Sequence, residues 1–335
     1  MALKQRLVVV GTGSIGRRHA RLLAKRKDIT VELCDSNPQS IDEALKETGM
    51  LRQHQSFDLM LESKPDIVLI ASPHHYHTEQ TLRSLQAGAH VLCEKPMSDR
   101  LDTANEVLLT AKRYDRVLVY GFSNHFHPGV LKIKEKLESG QLGEVLYIHF
   151  HVGTYGTLMN SRSRYQANTE AALLMDYVHQ PDLLYWLLGE IPKGVYAAGS
   201  LGGKLELMSN PNSMTMILDY QGPLTASIHL NYLQYPDRSH YELLGNQGWI
   251  FYDLNANIIY FGDRNKATVD QEEINFDRDS IYEAEHQAFF DTISEKRSAE
   301  SSAEDAFQSM MVVEAAIQSW KTKQRVALEQ VCLRH

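Results

Sequence analysis

The run Arg6-Leu7-Val8-Val9-Val10 breaks into Gly11-Thr12-Gly13-Ser14-Ile15-Gly16, and an amphipathic stretch through Leu22, Leu23 and Arg26 follows. Few short segments restrict a fold so much. β-Branched apolar residues that end in Gly-x-Gly-x-x-Gly predict a strand, a tight turn and a helix, the arrangement that cradles a dinucleotide pyrophosphate. Gly11 permits the sharp bend, Gly13 lets the backbone approach a phosphate, and Gly16 lets helix and strand pack closely. Thr12, Ser14 and Ile15 complete the turn, where the helix N-terminus offers free N–H groups and a positive dipole end.

Glycines collect in turns for steric reasons alone, so the context decides. A second apolar run, Ile29-Thr30-Val31-Glu32-Leu33-Cys34, ends at Asp35, nineteen positions beyond Gly16. A carboxylate at the tip of the second strand can accept from the ribose hydroxyls of adenosine. The plainer alternative is a cap on the turn with Asn37-Pro38. No Arg stands at positions 36–38 to receive a 2′-phosphate, which favours NAD over NADP, while Arg17 and Arg18 keep NADP open.

A chain of 335 residues is long for one core and suits two domains. The net charge of −8, with no long Lys/Arg block, argues against nucleic acid or an anionic membrane as partner. Met1 to Arg6 runs straight into the first strand without a signal-peptide pattern, and no apolar segment is long enough to span a bilayer. Cys34, Cys93 and Cys332 are few and scattered, as expected of reduced thiols in the cytoplasm.

From the first helix to about Ser123 strands and helices alternate. Asp66–Ile70, His90–Cys93 and Arg116–Tyr120 read as strands, and His77–Ala87 and Leu101–Arg113 as helices. Such alternation forces parallel pairing with right-handed crossovers, so 1–122 is expected to be a Rossmann-type, doubly wound NAD-binding domain. After Pro128 the grammar changes. One helix, Gly129–Leu137, precedes strand-like runs at Val145–Thr154, Ser213–Tyr220, Leu224–Leu233, Tyr241–Leu244 and Trp249–Leu254. In the third, Leu224, Ala226, Ile228, Leu230 and Tyr232 share one face and Thr225, Ser227, His229 and Asn231 the other. Residues 123–335 are therefore expected to form an α/β substrate-binding domain with a large, mostly antiparallel open sheet. Helices at Ile281–Ile293 and Glu304–Lys321, the latter capped by Ser301 or Ser302, close the chain. Few helices remain to cover that sheet, so self-association through it is expected.

Two segments place polar groups where a core would not want them. Cys93-Glu94-Lys95-Pro96 follows a buried strand at the carboxyl end, where open α/β sheets bind ligands. A cation there reaches the nicotinamide end of the cleft, unless Glu94 and Lys95 are only a solvated pair. In Leu173–Gly189, Pro181 fits only the first turn of a helix, so the helix begins near Gln180 and leaves Asp176 and His179 at its mouth. An imidazole there exchanges a proton near neutral pH and a carboxylate fixes its tautomer. The alternative makes Asp176 a helix cap and His179 a half-buried structural histidine. Arg162, Arg164 and Tyr165 precede this segment in a polar loop that either contacts substrate or is simply solvated. The histidines at 74, 75 and 77, at 125 and 127, and at 149 and 151 lack the spacing and partners of a zinc site, so no metal is expected.

Together, Gly11–Gly16, Ala71-Ser72-Pro73 with His77, Glu94-Lys95-Pro96, Gly121-Phe122 with Phe126-His127-Pro128, and Asp176-x-x-His179 resemble the Gfo/Idh/MocA oxidoreductases. The resemblance covers nearly the whole chain. It implies NAD(P)-linked hydride transfer to or from a sugar or cyclitol carbon and a C-terminal sheet often used for oligomerisation, here into a homodimer or homotetramer. It makes Lys95 the motif lysine, His179 the catalytic histidine and Asp176 its carboxylate partner, with Ser72, Pro73, His77 and Glu94 on the cofactor side. His125 stands where the family usually has Arg before Phe-x-Pro, and Glu170-Ala171-Ala172 replaces a glycine-rich lead-in. Two residues rather than three separate Asp176 from His179, as in a subgroup acting on sugars of surface polysaccharides. These departures bear on the substrate, to which Lys95, His125, Arg162, Arg164, Tyr165, Asp176 and His179 are assigned. A glycoside-cleaving enzyme that retains NAD, and a non-catalytic NAD-binding regulator, are the competing expectations.

Overall fold

The computed structural model describes residues 4–49, 52–160, 164–202 and 208–332. The chain forms two compact units, Met1–Phe126 with Asp277–Met310, and His127–Phe276 with Met311–His335.

The first unit holds, among the described residues, a six-stranded parallel sheet: β1 (Gln5–Val10), β2 (Ile29–Cys34), β3 (Gln53–His54), β4 (Ile67–Ile70), β5 (His90–Glu94) and β6 (Leu118–Gly121), in the order β3-β2-β1-β4-β5-β6. The order reverses direction at β1, which opens a crevice at the carboxyl ends of β1 and β4. Strands covered on both faces read as unbroken apolar runs, and Leu7 to Val10 and Ile67 to Ile70 are all buried. The crossover helix Ser14–Leu23 lies so close to β1 that a Cβ on Gly16 would stand 1.8 Å from the Gly11 carbonyl oxygen.

Residues 277–310 return to this unit, although an expected division at 122/123 placed them with the second domain. The reason is in the helix Arg278–Ile293. Phe289 and Phe290 join the core formed by Leu23, Ile29 and Leu33, Arg26 lies 4.1 Å over the Phe290 ring, and Arg21 pairs with Asp279 at 2.8 Å. Periodicity tells which face of a helix is buried, not which sheet buries it.

In the second unit the described residues form a nine-stranded sheet: β7 (Val145–Gly153), β8 (Gly194–Ser200), β9 (Ser213–Asp219), β10 (Thr225–Asn231), β11 (Arg238–Gly245), β12 (Gly248–Asp253), β13 (Ile258–Asp263), β14 (Thr268–Glu273) and β15 (Val326–Ala327). Their order is β14-β13-β12-β11-β7-β10-β9-β8-β15. β7 and β10 pair in parallel at its centre and every other neighbouring pair is antiparallel. Leu224, Ala226, Ile228, Leu230 and Tyr232 are all buried, as their shared face requires. Helices cover that face: Gly129 of the helix Pro128–Glu138 sits against Tyr252, Gln180 reaches the Tyr241 hydroxyl, and Ser319 accepts from the Ala197 N–H at 2.8 Å. On the other face most of the described side chains are half-buried or exposed, Tyr196 and Ile217 among them. This face carries a histidine cluster, with the His151 ring 4.9 Å from His240 and 5.1 Å from His229, and His149 5.5 Å from His240. Among the described residues no helix is long and apolar enough to cross a membrane.

Candidate active site

In the first unit the residues assigned to the cofactor gather at the carboxyl ends of β1, β2, β4 and β5. Gly11 has φ +88°, and a Cβ there would stand 2.5 Å from the Ser72 nitrogen, so the turn after β1 and the loop after β4 touch through their backbones. At Gly13 an added Cβ would meet nothing within 4 Å, which leaves room for a bound group above the turn. The helix that starts at Ser14 and Ile15 has Gly13 as its N-cap, with no side-chain cap and no acidic residue in its first turn. Its N–H groups and dipole are thus left to an anion. A cavity of about 340 Å³ adjoins the turn, lined among others by Gly11, Asp35, Ser36, Ser72 and Pro73. These features fit a dinucleotide, with the adenosine half on the β2 side.

The two arginines that left NADP open are committed elsewhere. Arg17 pairs with Glu43 at 2.6 Å and Glu47 at 3.5 Å, and Arg18 with Asp279 at 3.5 Å while lying over the Tyr282 ring.

His77 is 1% exposed and its ring spans two carbonyls, Pro96 at 2.8 Å from Nδ1 and Ser72 at 2.9 Å from Nε2. It fastens the loop after β4 to the loop after β5, and burial lowers its pKa. Glu94 is also buried. One of its carboxylate oxygens lies 2.9 Å from His19 Nε2 and the other accepts from the backbone N–H of Lys95 at 3.2 Å. His19 holds Glu94 ionised despite burial, so its pKa is lowered. His125 is 1% exposed, stacked on Phe122, with Nδ1 3.1 Å from the Glu300 carbonyl. Burial pushes the Cys34 thiol up to about 12 and the Cys93 thiol higher still, which makes both inert near neutral pH.

In the second unit Asp176 ends the short helix Ala172–Asp176 and His179 begins the helix His179–Leu188. The latter has Val178 as N-cap without a side-chain cap bond, so Asp176 is not its cap. Instead the Tyr165 and Tyr232 hydroxyls donate to the two carboxylate oxygens, and Gln166 Nε2 donates at 3.1 Å. Burial and the adjacent carboxylate raise both phenols, so they remain donors. Beside them the Tyr177 hydroxyl bonds Thr154 and Thr157, each at 2.9 Å. Tyr165 therefore contacts a carboxylate of the protein itself. Arg164 is exposed with φ +50°, and Arg162 lies outside the described residues. Sequence reasoning missed Gln166, Tyr232, Tyr177 and the two threonines. A tyrosine closing the apolar face of a strand, as Tyr232 does, was the available signal, since a buried hydroxyl needs a partner.

A family model described as the oxidoreductase family's NAD-binding Rossmann fold, Gfo/Idh/MocA, matches residues 5–122. The model of its C-terminal alpha/beta domain matches residues 134–328. D-glucoside 3-dehydrogenase of Escherichia coli (strain K12) is 33% identical over 145 residues, 42% of this chain and 41% of that protein. Myo-inositol 2-dehydrogenase of Thermotoga maritima is 26% identical over 339 residues, 97% of this chain and 99% of that protein. The chain spans about half the length of other curated relatives it matches. The fold is similar to that of an oxidoreductase from Agrobacterium radiobacter, crystallised with NAD+, L-tartaric acid and magnesium, with a TM-score of 0.89 at 18% identity over 98% of this chain and 99% of that one.

Proposed function

The chain belongs to the Gfo/Idh/MocA oxidoreductase family, and on that premise we propose that it is an NAD-dependent dehydrogenase moving a hydride between a sugar or cyclitol carbinol carbon and the nicotinamide. The observation that carries the reading is Asp176, held by Tyr165, Gln166 and Tyr232 three positions before His179 instead of capping a helix. Three side chains spent on orienting one carboxylate make sense if that carboxylate orients something in turn.

NAD, when bound, accepts the hydride; the rest falls to the chain. Oxidising a carbinol frees a hydroxyl proton, which a base poised near neutral pH must take. His179 takes it, Asp176 fixes the imidazole or holds the substrate, and the Lys95 cation stabilises the developing alkoxide. Gly11–Gly16 hold the pyrophosphate, Asp35 the ribose, and Ser72, Pro73 and Glu94 frame the nicotinamide side. Two relatives are named for dehydrogenation of inositol and of D-glucosides, both polyhydroxylated rings, and this supports a substrate of that class. The enzyme works in the cytoplasm on a small molecule, as a homo-oligomer joined through the open sheet face.

A panel of sugars, glycosides and cyclitols screened for NADH formation tests this. Reduction of NAD by at least one member is expected. Glycoside cleavage without net NADH, or NAD binding with no turnover of any member, would replace the reading.

A further inference from the structure

A line of titratable side chains runs through the first unit beneath the loop that carries Lys95. Glu94 Oε1 lies 2.9 Å from His19 Nε2, and His19 Nδ1 lies 2.7 Å from His286 Nε2. The elements are brought together by the packing of the helix Arg278–Ile293 on the first crossover helix. The His19 side chain is fully buried, whereas the Glu94 side chain is 11% exposed, so the line opens at Glu94. At the other end His286 forms part of a surface cavity of about 230 Å³ together with Lys25, Arg26 and Glu283.

The sheet order says what lies at the open end. The pyrophosphate turn follows β1 and the ribose carboxylate Asp35 follows β2, so the other half of a bound dinucleotide extends over β4 and β5, where Glu94 ends β5. That half is a cation when oxidised and neutral when reduced.

The heavy-atom geometry accepts two proton counts. With His19 neutral, its Nε2–H donates to Glu94 and His286 Nε2–H donates to His19 Nδ1, which leaves a net charge of −1. With His19 protonated it donates both ways and the charge is zero. Glu285 sits beside Glu94 with neither oxygen hydrogen-bonded to a described residue. Burial and the Glu94 charge raise its pKa, so it stays a neutral acid. Among the described residues the line is also faced by Lys95, His77 and the Cys93 thiol on the Glu94 side, by Tyr282 against the His19 ring, and by Arg26 near His286.

We propose that Glu94, His19 and His286 form a buried proton acceptor tied to the charge of the bound cofactor. It is empty under NAD+ and filled under NADH, so the complex with NADH holds more protons than the complex with NAD+. His19 accepts the proton, Glu94 carries the negative charge to the nicotinamide side, and His286 passes the proton to and from solvent through its cavity. His19 and His286 are thus positioning residues that act through Glu94. The inference rests on the cofactor reading and not on any substrate.

Calorimetric titration of the full chain with NAD+ and with NADH, in buffers of different ionisation enthalpy and with no sugar present, counts the protons exchanged. NAD+ is expected to release protons relative to NADH, and the NAD+ to NADH affinity ratio to rise with pH by up to about tenfold per unit, the slope for one proton. In His19→Gln the amide still donates to Glu94 but cannot titrate, so the proton difference should vanish and the ratio become flat with pH. Glu94→Gln should shift preference toward NADH at every pH. Equal proton exchange for both forms by the wild-type protein, which needs no variant to fold, overturns the proposal and leaves the dehydrogenase reading standing. Failure of every sugar to react would leave this result untouched.

Discussion

One carboxylate oxygen of Asp35 accepts both the backbone N–H of Thr12, at 2.7 Å, and its hydroxyl, at 2.9 Å, which ties the tip of β2 to the glycine turn after β1. The other oxygen accepts from Asn37 N–H at 2.9 Å. Turn cap and ribose acceptor, alternatives in the sequence, are compatible roles, because an ionised carboxylate has about four acceptor sites. A 2′-phosphate would meet this charge with Arg17 and Arg18 already paired. NAD is therefore expected to bind more tightly than NADP in a fluorescence titration. Asp35→Ser with Ser36→Arg should move preference toward NADP and, by slackening the turn, weaken NAD by about tenfold or more, the scale of one hydrogen bond to a charged group. Tighter NADP binding by the unmodified protein would sink this.

His179→Asn and Lys95→Met test the proton chemistry. Each should leave NAD affinity nearly intact and lower kcat by about 10²-fold or more, the usual scale for losing an acid–base group. Stopped-flow or steady-state turnover of the substrate found in the screen measures it. Both variants working at the parent rate would return His179 to a structural part at a helix mouth.

Tyr232→Phe removes one donor from Asp176 while keeping the ring, and Tyr165→Phe removes the other. Each should lower kcat by about tenfold through a misoriented carboxylate, since a hydrogen bond to a charge contributes about 1.5–3 kcal/mol. NAD affinity should not change. If kcat is unaltered in the double variant, Asp176 needs no orientation and the reading of this cluster is wrong.

The parallel sheet was legible because strands buried on both faces are continuous apolar runs bounded by turn residues. The central antiparallel strands were legible through alternation. β14 was not, because Thr268 to Glu273 is an edge strand exposed along its length and carries no apolar face. Glu32 escaped notice inside an apolar run, yet it is a buried carboxylate held by Arg6, Arg52 and His54 from neighbouring elements. Lys95, Asp176 and His179 stood out as misplaced polar residues, whereas His19 and Tyr232 fitted a helix and a core face. Their roles depend on partners 267 and 56 positions away, which no local pattern contains.

Acid should destabilise the protein in two stages. Burial holds the folded-state pKa of His127 and His240 at about 4, below the ordinary 6.5, and that of His286 well below it. The unfolded chain takes up protons that these rings refuse, so stability falls as pH drops from about 6.5 toward 4. Glu32 is held at about 2 by Arg6, His54 and Arg52 against an ordinary 4.5, so its contribution is lost as pH falls from 4.5 toward 2. Thermal melts across that range should show Tm declining through both windows, with Glu32→Gln flattening the lower one only. A Tm constant between pH 7 and about pH 4.5 would contradict the first assignment.

The open face of the nine-stranded sheet is where a second copy is expected to dock. Tyr196 and Ile217 are cross-strand partners on β8 and β9, 40% and 47% exposed, and Ile217 is paired on its other side with Ser227 of β10. With Tyr147, His149, His229, His240 and Phe251 they make a broad surface of rings and aliphatic groups. Burial and mutual repulsion lower the pKa of His149, His229 and His240, so these rings are uncharged at neutral pH and lose little by desolvation, while Glu242, opposite both His149 and Phe251, keeps one carboxylate on the face. A two-fold contact sets the same patch against itself, so one added charge is met by its own copy. Sedimentation of the wild-type chain at micromolar concentration should therefore show a dimer or larger, and Ile217→Lys should dissociate it while leaving NAD binding intact. A wild-type monomer at that concentration would refute the interface, and an undissociated Ile217→Lys would place it elsewhere on the surface.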